Sequence, residues 1–106
     1  MNKKRREDYE NRAVELALRI YTLKGGSAGG PLHIVLDDGN FEDQHINWCI
    51  DYINSDDCEH SEELKNISLA CAEILLKLPL RGRYNVWHRI WVKMAGERME
   101  SEEAVR

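Results

Sequence analysis

The chain has 106 residues, of which 42% are apolar and 32% charged, and its formal net charge is −4 at pH 7. This length suffices for one domain with a modest core, and the composition excludes an intrinsically disordered chain. No apolar run approaches the roughly 20 residues that a membrane-spanning helix needs, so we expect a soluble protein with no membrane partner. Residues 1–106 are therefore treated as a single domain, whose ends, residues 1–6 and 97–106, could fray.

The three cysteines indicate a reducing environment. They are odd in number, lack the spacing of a disulfide framework, and follow no signal peptide. We therefore expect a cytoplasmic, intracellular protein.

Charge is strongly segregated along the chain. Between Gly25 and Leu64 there are ten acids and no lysine or arginine. Bases precede this stretch in residues 3–6, and more bases follow it in residues 77–93, which contain no acid. Such a layout bears on the partners of a protein rather than on its fold.

The first predicted helix covers residues 7–24 and ends before Gly25 and Gly26, which can adopt the left-handed conformation of a helix cap. Residues 32–36, Leu-His-Ile-Val-Leu, then have the composition of a short strand. No second convincing strand is found in the chain. The segment either packs as extended backbone across the helices or pairs with the same segment of another copy, which would give a homodimer.

Three further helices are predicted. The second follows an N-cap at Asn40 and ends near Asn54, and the third is capped by Ser61 and ended by Pro79. The fourth follows a turn at residues 81–83 and reaches about Ala95. Together with the extended segment at 32–36 these elements predict an all-α domain of four helices. Three tryptophans fall on or beside the apolar stripes and are expected to help fill the core: Trp48, Trp87 and Trp91.

A metal site is one functional hypothesis. His45 and Cys49 are four residues apart on one predicted helix, and Cys58 and His60 follow in the next loop. These four, with His33, could form a metal- or ligand-binding module. The Cys-x-x-Cys pair of structural zinc modules is missing, and Cys49 belongs to an apolar stripe, which favours a buried free thiol. We accordingly expect no cofactor.

Catalysis is not expected. Cys58 lies near His60, and His33 lies near several carboxylates, but neither arrangement includes an orienting third group or an oxyanion donor. The acidic loop before the second helix does not match the ligand spacing of a calcium loop either. We therefore interpret the chain as a non-enzymatic protein.

The basic segment 77–93 also contains aromatic residues, as nucleic-acid-binding surfaces do. Because Trp87 and Trp91 share the apolar stripe of Ile90 and Met94, their assignment to the core leaves the bases as a solvated rim. A nucleic-acid-binding accessory protein thus remains an alternative.

The acidic middle of the chain is the largest feature. If its carboxylates gather on one face, they would resemble the charge of a phosphate backbone and attract a basic groove on a partner. The predicted contacts are Asp37, Asp38, Glu42, Asp43, Asp56 and Asp57.

Residues 29–45 read Gly-Gly-Pro-Leu-His-Ile-Val-Leu-Asp-Asp-Gly-Asn-Phe-Glu-Asp-Gln-His. This run resembles a motif in small proteins encoded by bacteriophages and prophages, and the resemblance brings no activity with it. It implies an accessory factor that binds a host protein, such as a nuclease or defence complex. The leading hypothesis is therefore an anti-CRISPR-like inhibitor of host defence that binds its target through the acidic region.

Overall fold

The structure is a computed structural model that describes residues 2–25 and 43–105, with side chains described as far as residue 96. Every regular element in these residues is an α-helix, which confirms the all-α prediction. The predicted extended segment 32–36 and the predicted cap Asn40 lie outside the described residues. None of the described helices combines the length and the apolar composition needed to cross a membrane.

Helix α1 (Lys3–Leu23) begins four residues before the predicted start. The reason is Asn2, whose side-chain Oδ1 accepts a hydrogen bond from the backbone N–H of Arg5 at 2.8 Å. An asparagine at this position satisfies one of the free amides of the first turn. Residues 3–6, which belong to the end that could fray, are therefore helical. The helix ends beside Gly25, whose φ of +69° is the left-handed conformation expected there.

Helix α2 (Asp43–Asn54) ends where the sequence predicted, and α3 (Glu62–Lys77) begins after its predicted cap. The Ser61 hydroxyl accepts a hydrogen bond from the backbone N–H of Leu64 at 3.3 Å. Leu78 then adopts an extended conformation, as a residue before proline prefers, and this ends α3.

Helix α4 (Leu80–Val105) differs from the prediction at both ends. The expected turn at residues 81–83 is the first turn of the helix, and the Pro79 carbonyl accepts a hydrogen bond from the Arg83 N–H at 3.1 Å. The helix also continues through Gly96, where we predicted its end. One glycine costs a helix only about 1 kcal/mol relative to alanine, and the residues beyond it are mostly good helix formers.

Helix α1 packs against both α3 and α4, while α2 packs on α3. Contacts along α1 show that it runs antiparallel to α3. Arg19 pairs with Glu63 at the start of α3, and the Lys77 ammonium at its end lies 5.7 Å from the centre of the Tyr9 ring. Fully buried side chains fill the space between the helices, the largest being Ile46, Leu75, Leu78, Val86, Cys49 and Cys71.

The prediction that all three tryptophans fill the core is wrong for two of them. Trp48 is 55% exposed and Trp91 is 52% exposed, while Trp87 is partly buried against the core. On α4 the buried positions among the described side chains are Gly82, Arg83, Val86 and Ile90, so the buried stripe is rotated away from Trp91. Tyr84, Trp91 and Val92, on other sides of α4, are exposed.

Candidate interaction surfaces

Arg83 lies at the junction of three helices. Its guanidinium is buried, with the residue only 5% exposed. The Nε donates to the carbonyl oxygens of Leu75 and Leu78 at 2.7 and 2.8 Å, and Nη2 donates to that of Leu76 at 3.2 Å. Nη1 forms an ion pair with Asp43 at 2.5 Å. The sequence indicated that Arg83 belongs to a solvated basic rim. The structure shows instead that Arg83 caps the end of α3.

The six predicted acidic contacts do not form one patch within the described residues. Asp37, Asp38 and Glu42 lie outside those residues. Asp43 is paired with Arg83 at the start of α2, about 16 Å along the helix axis from its other end. Asp56 and Asp57 are exposed beyond that other end, in the connection to α3.

A second set of acids surrounds Asp56 and Asp57, and we call the whole set the α2–α3 surface. All its members are exposed: Asp51, Asp56, Asp57, Glu59, Glu62 and Glu63. Helix α1 brings bases to the same end of the molecule. Arg19 pairs with Glu63 at 3.2 Å, and the positive charge of Lys24 lowers the pKa of nearby His60. The acidic region is thus less purely negative in space than it is in sequence.

The fold explains the positions of some acids of this surface but not of others. Glu62 and Glu63 lie in the first turn of α3, where the helix dipole favours negative charge. Asp51 lies in the last turn of α2, where the dipole disfavours it, and Asp56 and Asp57 follow in the loop. Within the described residues, none of these three aspartates is in an ion pair. The described part of the fold therefore gives them no ion-pair partner.

An aromatic pair lies on the same helix as Asp51. Trp48 and Tyr52 are one helical turn apart, and their rings stack with centroids 6.0 Å apart. Trp48 is exposed, whereas Tyr52 is half-buried. Tryptophan and tyrosine are among the residues that most often dominate binding energy at protein interfaces.

The four predicted metal ligands have very different surroundings. Cys49 and Cys58 are buried, while His45 and His60 are half-buried. Among the residues that the structure describes, no group of three or more His, Cys, Asp or Glu side chains could hold a metal ion. His33 lies outside those residues.

Burial sets the chemistry of two thiols and one imidazole. It raises the pKa of Cys49 to about 11, so this thiol is protonated at neutral pH. Desolvation also lowers the pKa of His60, and the positive charges of Lys24 and Lys65 lower it further, against the opposing effect of Glu59. Cys71 donates to the Ala13 carbonyl at 3.6 Å, with its pKa raised by burial to about 12.

Helix α4 carries a line of rings that sequence reasoning assigned largely to the core. Tyr84 stacks on His88 with centroids 6.4 Å apart and planes 7° apart, and Trp87 stacks on Trp91 at 6.5 Å and 5°. Tyr84 also contacts Trp87 at 5.7 Å. Exposed Leu80 lies one turn before Tyr84. We call this set the α4 aromatic face: Leu80, Tyr84, Trp87, His88 and Trp91.

Three exposed bases lie on the same helix as the α4 aromatic face. Arg81, Arg89 and Lys93 are all exposed, and none of them forms an ion pair with a described residue. At 100° per residue, Arg81 lies about 60° from Tyr84 around the helix, Arg89 about 140° and Lys93 about 180°, so only Arg81 lies beside the rings. The sequence showed these bases, but it could not show that rings of the same helix are exposed.

Comparison of the chain with protein-family models, with curated proteins and with solved structures found no match in any of the three. The surfaces described above are therefore the basis for a functional proposal.

Proposed function

We propose that the chain is a non-enzymatic interaction protein that binds a basic surface of a host protein through the α2–α3 surface and Trp48. The observation that carries the proposal is the exposure of Asp51, Asp56 and Asp57 without an ion-pair partner among the described residues. Acids in such positions do not stabilise the fold and are available to a cationic partner.

The position of Trp48 supports a protein partner. It lies one turn before Tyr52 and three residues before Asp51, so an exposed ring and carboxylates share this end of α2. An arginine of a partner can pair with a carboxylate and stack on an indole at the same time. Such a surface would recognise arginine-rich grooves in particular.

The resemblance of residues 29–45 to small phage proteins directs the proposal toward host defence. A groove that holds nucleic acid in a defence nuclease is basic, and an acidic surface of this kind can occupy it in place of a phosphate backbone. The proposed activity is therefore anti-CRISPR-like inhibition by occlusion, without a chemical reaction.

A plating assay tests this proposal. Bacteria whose CRISPR nuclease targets a phage are made to express the chain, and the plating efficiency of that phage is measured. We expect the wild-type chain to raise plating, and the isosteric variant Asp51→Asn/Asp56→Asn/Asp57→Asn to lose the effect because it removes three negative charges with little change in shape.

The matched control removes two exposed charges from α1, at Glu7 and Asp8, far along the chain from the α2–α3 surface. The variant Glu7→Gln/Asp8→Asn should inhibit as the wild type does. Plating that stays unchanged by the wild-type chain would contradict inhibition of the nuclease tested. Equal loss in both variants would contradict the assignment to the α2–α3 surface.

A further inference from the structure

We propose that the exposed side of α4 binds a second copy of the chain, with the two α4 helices packed side by side in opposite directions. Three observations carry the proposal. The exposed residues have the spacing of helices that pair lengthwise, they point away from the core, and the two halves of α4 carry opposite charge. The contact uses no residue of the α2–α3 surface.

The exposed residues of α4 repeat in alternating steps of four and three. Tyr84, His88, Trp91 and Ala95 are all exposed and follow each other at these steps. Arg81 is exposed too and lies three residues before Tyr84. Alternation of three and four keeps one side of a helix against a partner helix along its whole length. We call these five residues the α4 seam.

The α4 seam lies on the side of the helix that is directed away from the core. At 100° per residue, its mean direction is roughly 160° around the helix from that of the four buried residues of α4. Tyr84 is 53% exposed and Trp91 is 52% exposed, although both are large side chains that normally become buried. A second helix can therefore lie along the seam while the described core contacts of α4 stay in place.

The two halves of α4 carry opposite charge. From Leu80 to Gly96 the helix has four bases and no acid, whereas residues 97–105 contain four glutamates and one arginine. The helix dipole favours the reverse order, with acids in the first turn and bases in the last, and α4 has neither. An antiparallel second copy places the acidic half of each helix beside the basic half of the other. A parallel copy would bring like charges together.

Arg81 is the base that the second copy neutralises. It has no acid within four residues in the sequence, and it forms no ion pair with a described residue. Arg89 and Lys93 lie on other sides of the helix, about 140° and 180° from Tyr84. Glu102 is about five full turns beyond Tyr84 and therefore occupies the same side of α4 as the seam.

The α4 seam is complementary to itself when one of the two helices is reversed. With the two copies of Trp91 beside each other at the centre, His88 lies opposite Ala95 and Arg81 lies opposite Glu102 of the second copy. A large side chain thus meets a small one, and a base meets an acid. Twofold symmetry makes each of these contacts twice.

Sedimentation equilibrium of the full chain tests the proposal. Because each chain contributes one helix, the contact lies at the small end of specific interfaces, and we expect a dissociation constant on the order of 10 µM. The measured mass should be that of one chain at about 1 µM and should approach that of two chains at about 200 µM.

Two tryptophan variants locate the contact. Trp91→Ala should raise the dissociation constant at least about tenfold, because tryptophans at the centre of an interface often dominate its binding energy. Trp48→Ala is the matched control, since Trp48 has nearly the same exposure but lies on α2, and it should dimerise as the wild type does. Circular dichroism verifies that both variants fold.

Charge reversal tests the direction of the two helices. Arg81→Glu should weaken dimerisation about tenfold, because it places two acids opposite each other at each end of the contact. Arg81→Glu/Glu102→Arg should restore the affinity, since the two partners only exchange their charges. Arg89→Glu makes the same change of charge outside the seam and should leave the dissociation constant unchanged.

Four outcomes would overturn the proposal. The first is the mass of one chain at the highest concentration. The second is a dimer that Trp91→Ala leaves intact, which would place the contact elsewhere, for example in residues 32–36. The others are equal weakening by Arg81→Glu and Arg89→Glu, and a double reversal that does not restore the affinity. The charge variants alter no residue of the α2–α3 surface, so the two proposals can fail separately.

Discussion

Arg83 of α4 binds Asp43 at the start of α2 and, with the same guanidinium, the carbonyl groups at the end of α3. One buried side chain thus connects three of the four described helices. The carboxylate is 67% exposed, so the ion pair itself is worth little. The hydrogen bonds from Arg83 matter more, because those to Leu76 and Leu78 satisfy carbonyls that would otherwise be left without partners at the end of α3; the Leu75 carbonyl also accepts from the Leu78 N–H.

Replacement of Arg83 should therefore destabilise the fold strongly. We expect Arg83→Met to lower the free energy of unfolding by about 3 kcal/mol, since a buried donor to three carbonyls is lost. Asp43→Asn should cost less than about 1 kcal/mol. Urea denaturation measures both, and exposed Arg89→Met on the same helix is the control. Similar losses for Arg83→Met and Arg89→Met would contradict the capping role.

Two glycines of α4 should respond differently to the same change. A Cβ at Gly82 would lie 3.1 Å from Oε1 of buried Glu10 and 3.4 Å from Cβ of Leu78, whereas nothing lies within 4 Å of a Cβ at Gly96. Gly96→Ala should stabilise the chain by up to about 1 kcal/mol through helix propensity. Gly82→Ala should gain nothing or destabilise, because the crowding offsets that gain.

Thermal unfolding of the two alanine variants checks this contrast. Glu10→Ala provides the background in which the crowding is relieved, and there Gly82→Ala should become stabilising. If Gly82→Ala raises the melting temperature of the wild-type chain as much as Gly96→Ala does, α4 does not approach α1 as closely as described.

The tryptophans offer a direct check on which side of each helix is buried. Trp48→Ala and Trp91→Ala should each cost less than about 1 kcal/mol, because about half of each ring is already in water. Leu75→Ala, at a fully buried position, should cost about 2 to 5 kcal/mol. Chemical denaturation measures the free energy of unfolding of all three variants. A loss for Trp91→Ala comparable to that for Leu75→Ala would show that Trp91 is buried in the core.

The buried thiols predict a loss of stability at alkaline pH. Burial raises the pKa of Cys49 from 9.0 to about 11, so the thiol keeps its proton in the folded chain when the unfolded chain has lost it. The unfolded state then binds fewer protons, and stability falls as pH rises from about 9 to about 11. The maximum slope is about 1.4 kcal/mol per pH unit for one thiol.

Cys49→Ala isolates this contribution. Its free energy of unfolding, measured by denaturation at a series of pH values, should fall less steeply above pH 9 than that of the wild type. Cys49→Leu is the control for lost volume, since it also lacks a titrating group. Parallel curves for the wild type and Cys49→Ala would show that Cys49 ionises in the folded chain as easily as in the unfolded one.

The sequence predicted those features of the fold that depend on local chemistry. Ser61 was identified as the cap of α3 because its hydroxyl acts on an amide three residues away, and Pro79 ends that helix by its own geometry. The missed cap at Asn2 was of the same local kind and could have been found. The residues Lys-Lys-Arg-Arg after it, however, look like a charged tail.

The errors concern contacts between distant residues. The buried position of Arg83 depends on carbonyls at the end of another helix and on Asp43, forty residues away in the chain. The stripe on α4 was ambiguous, because Trp87, Ile90 and Trp91 have helical spacing whether or not Trp91 faces inward. Only the packing of α4 on α1 decides that orientation, and with it the exposure of the rings.

The charge of the α2–α3 surface also depends on contacts between distant residues. The sequence revealed the run of acids, but the approach of Arg19 and Lys24 on α1 follows from the antiparallel packing of α1 and α3. The sequence analysis also placed Asp43 and Asp56 in one acidic group, although the length of α2 separates them in the structure. The distinction between acids that stabilise α3 and acids without a partner therefore required the structure.

Native mass spectrometry of the chain purified from a bacterial host, beside the variant Asp51→Asn/Asp56→Asn/Asp57→Asn, tests the central claim most directly. We predict that the wild-type chain carries a basic host protein and that the variant has the mass of a single chain. A wild-type chain without a bound protein, or the same complex in both samples, would contradict binding through the α2–α3 surface.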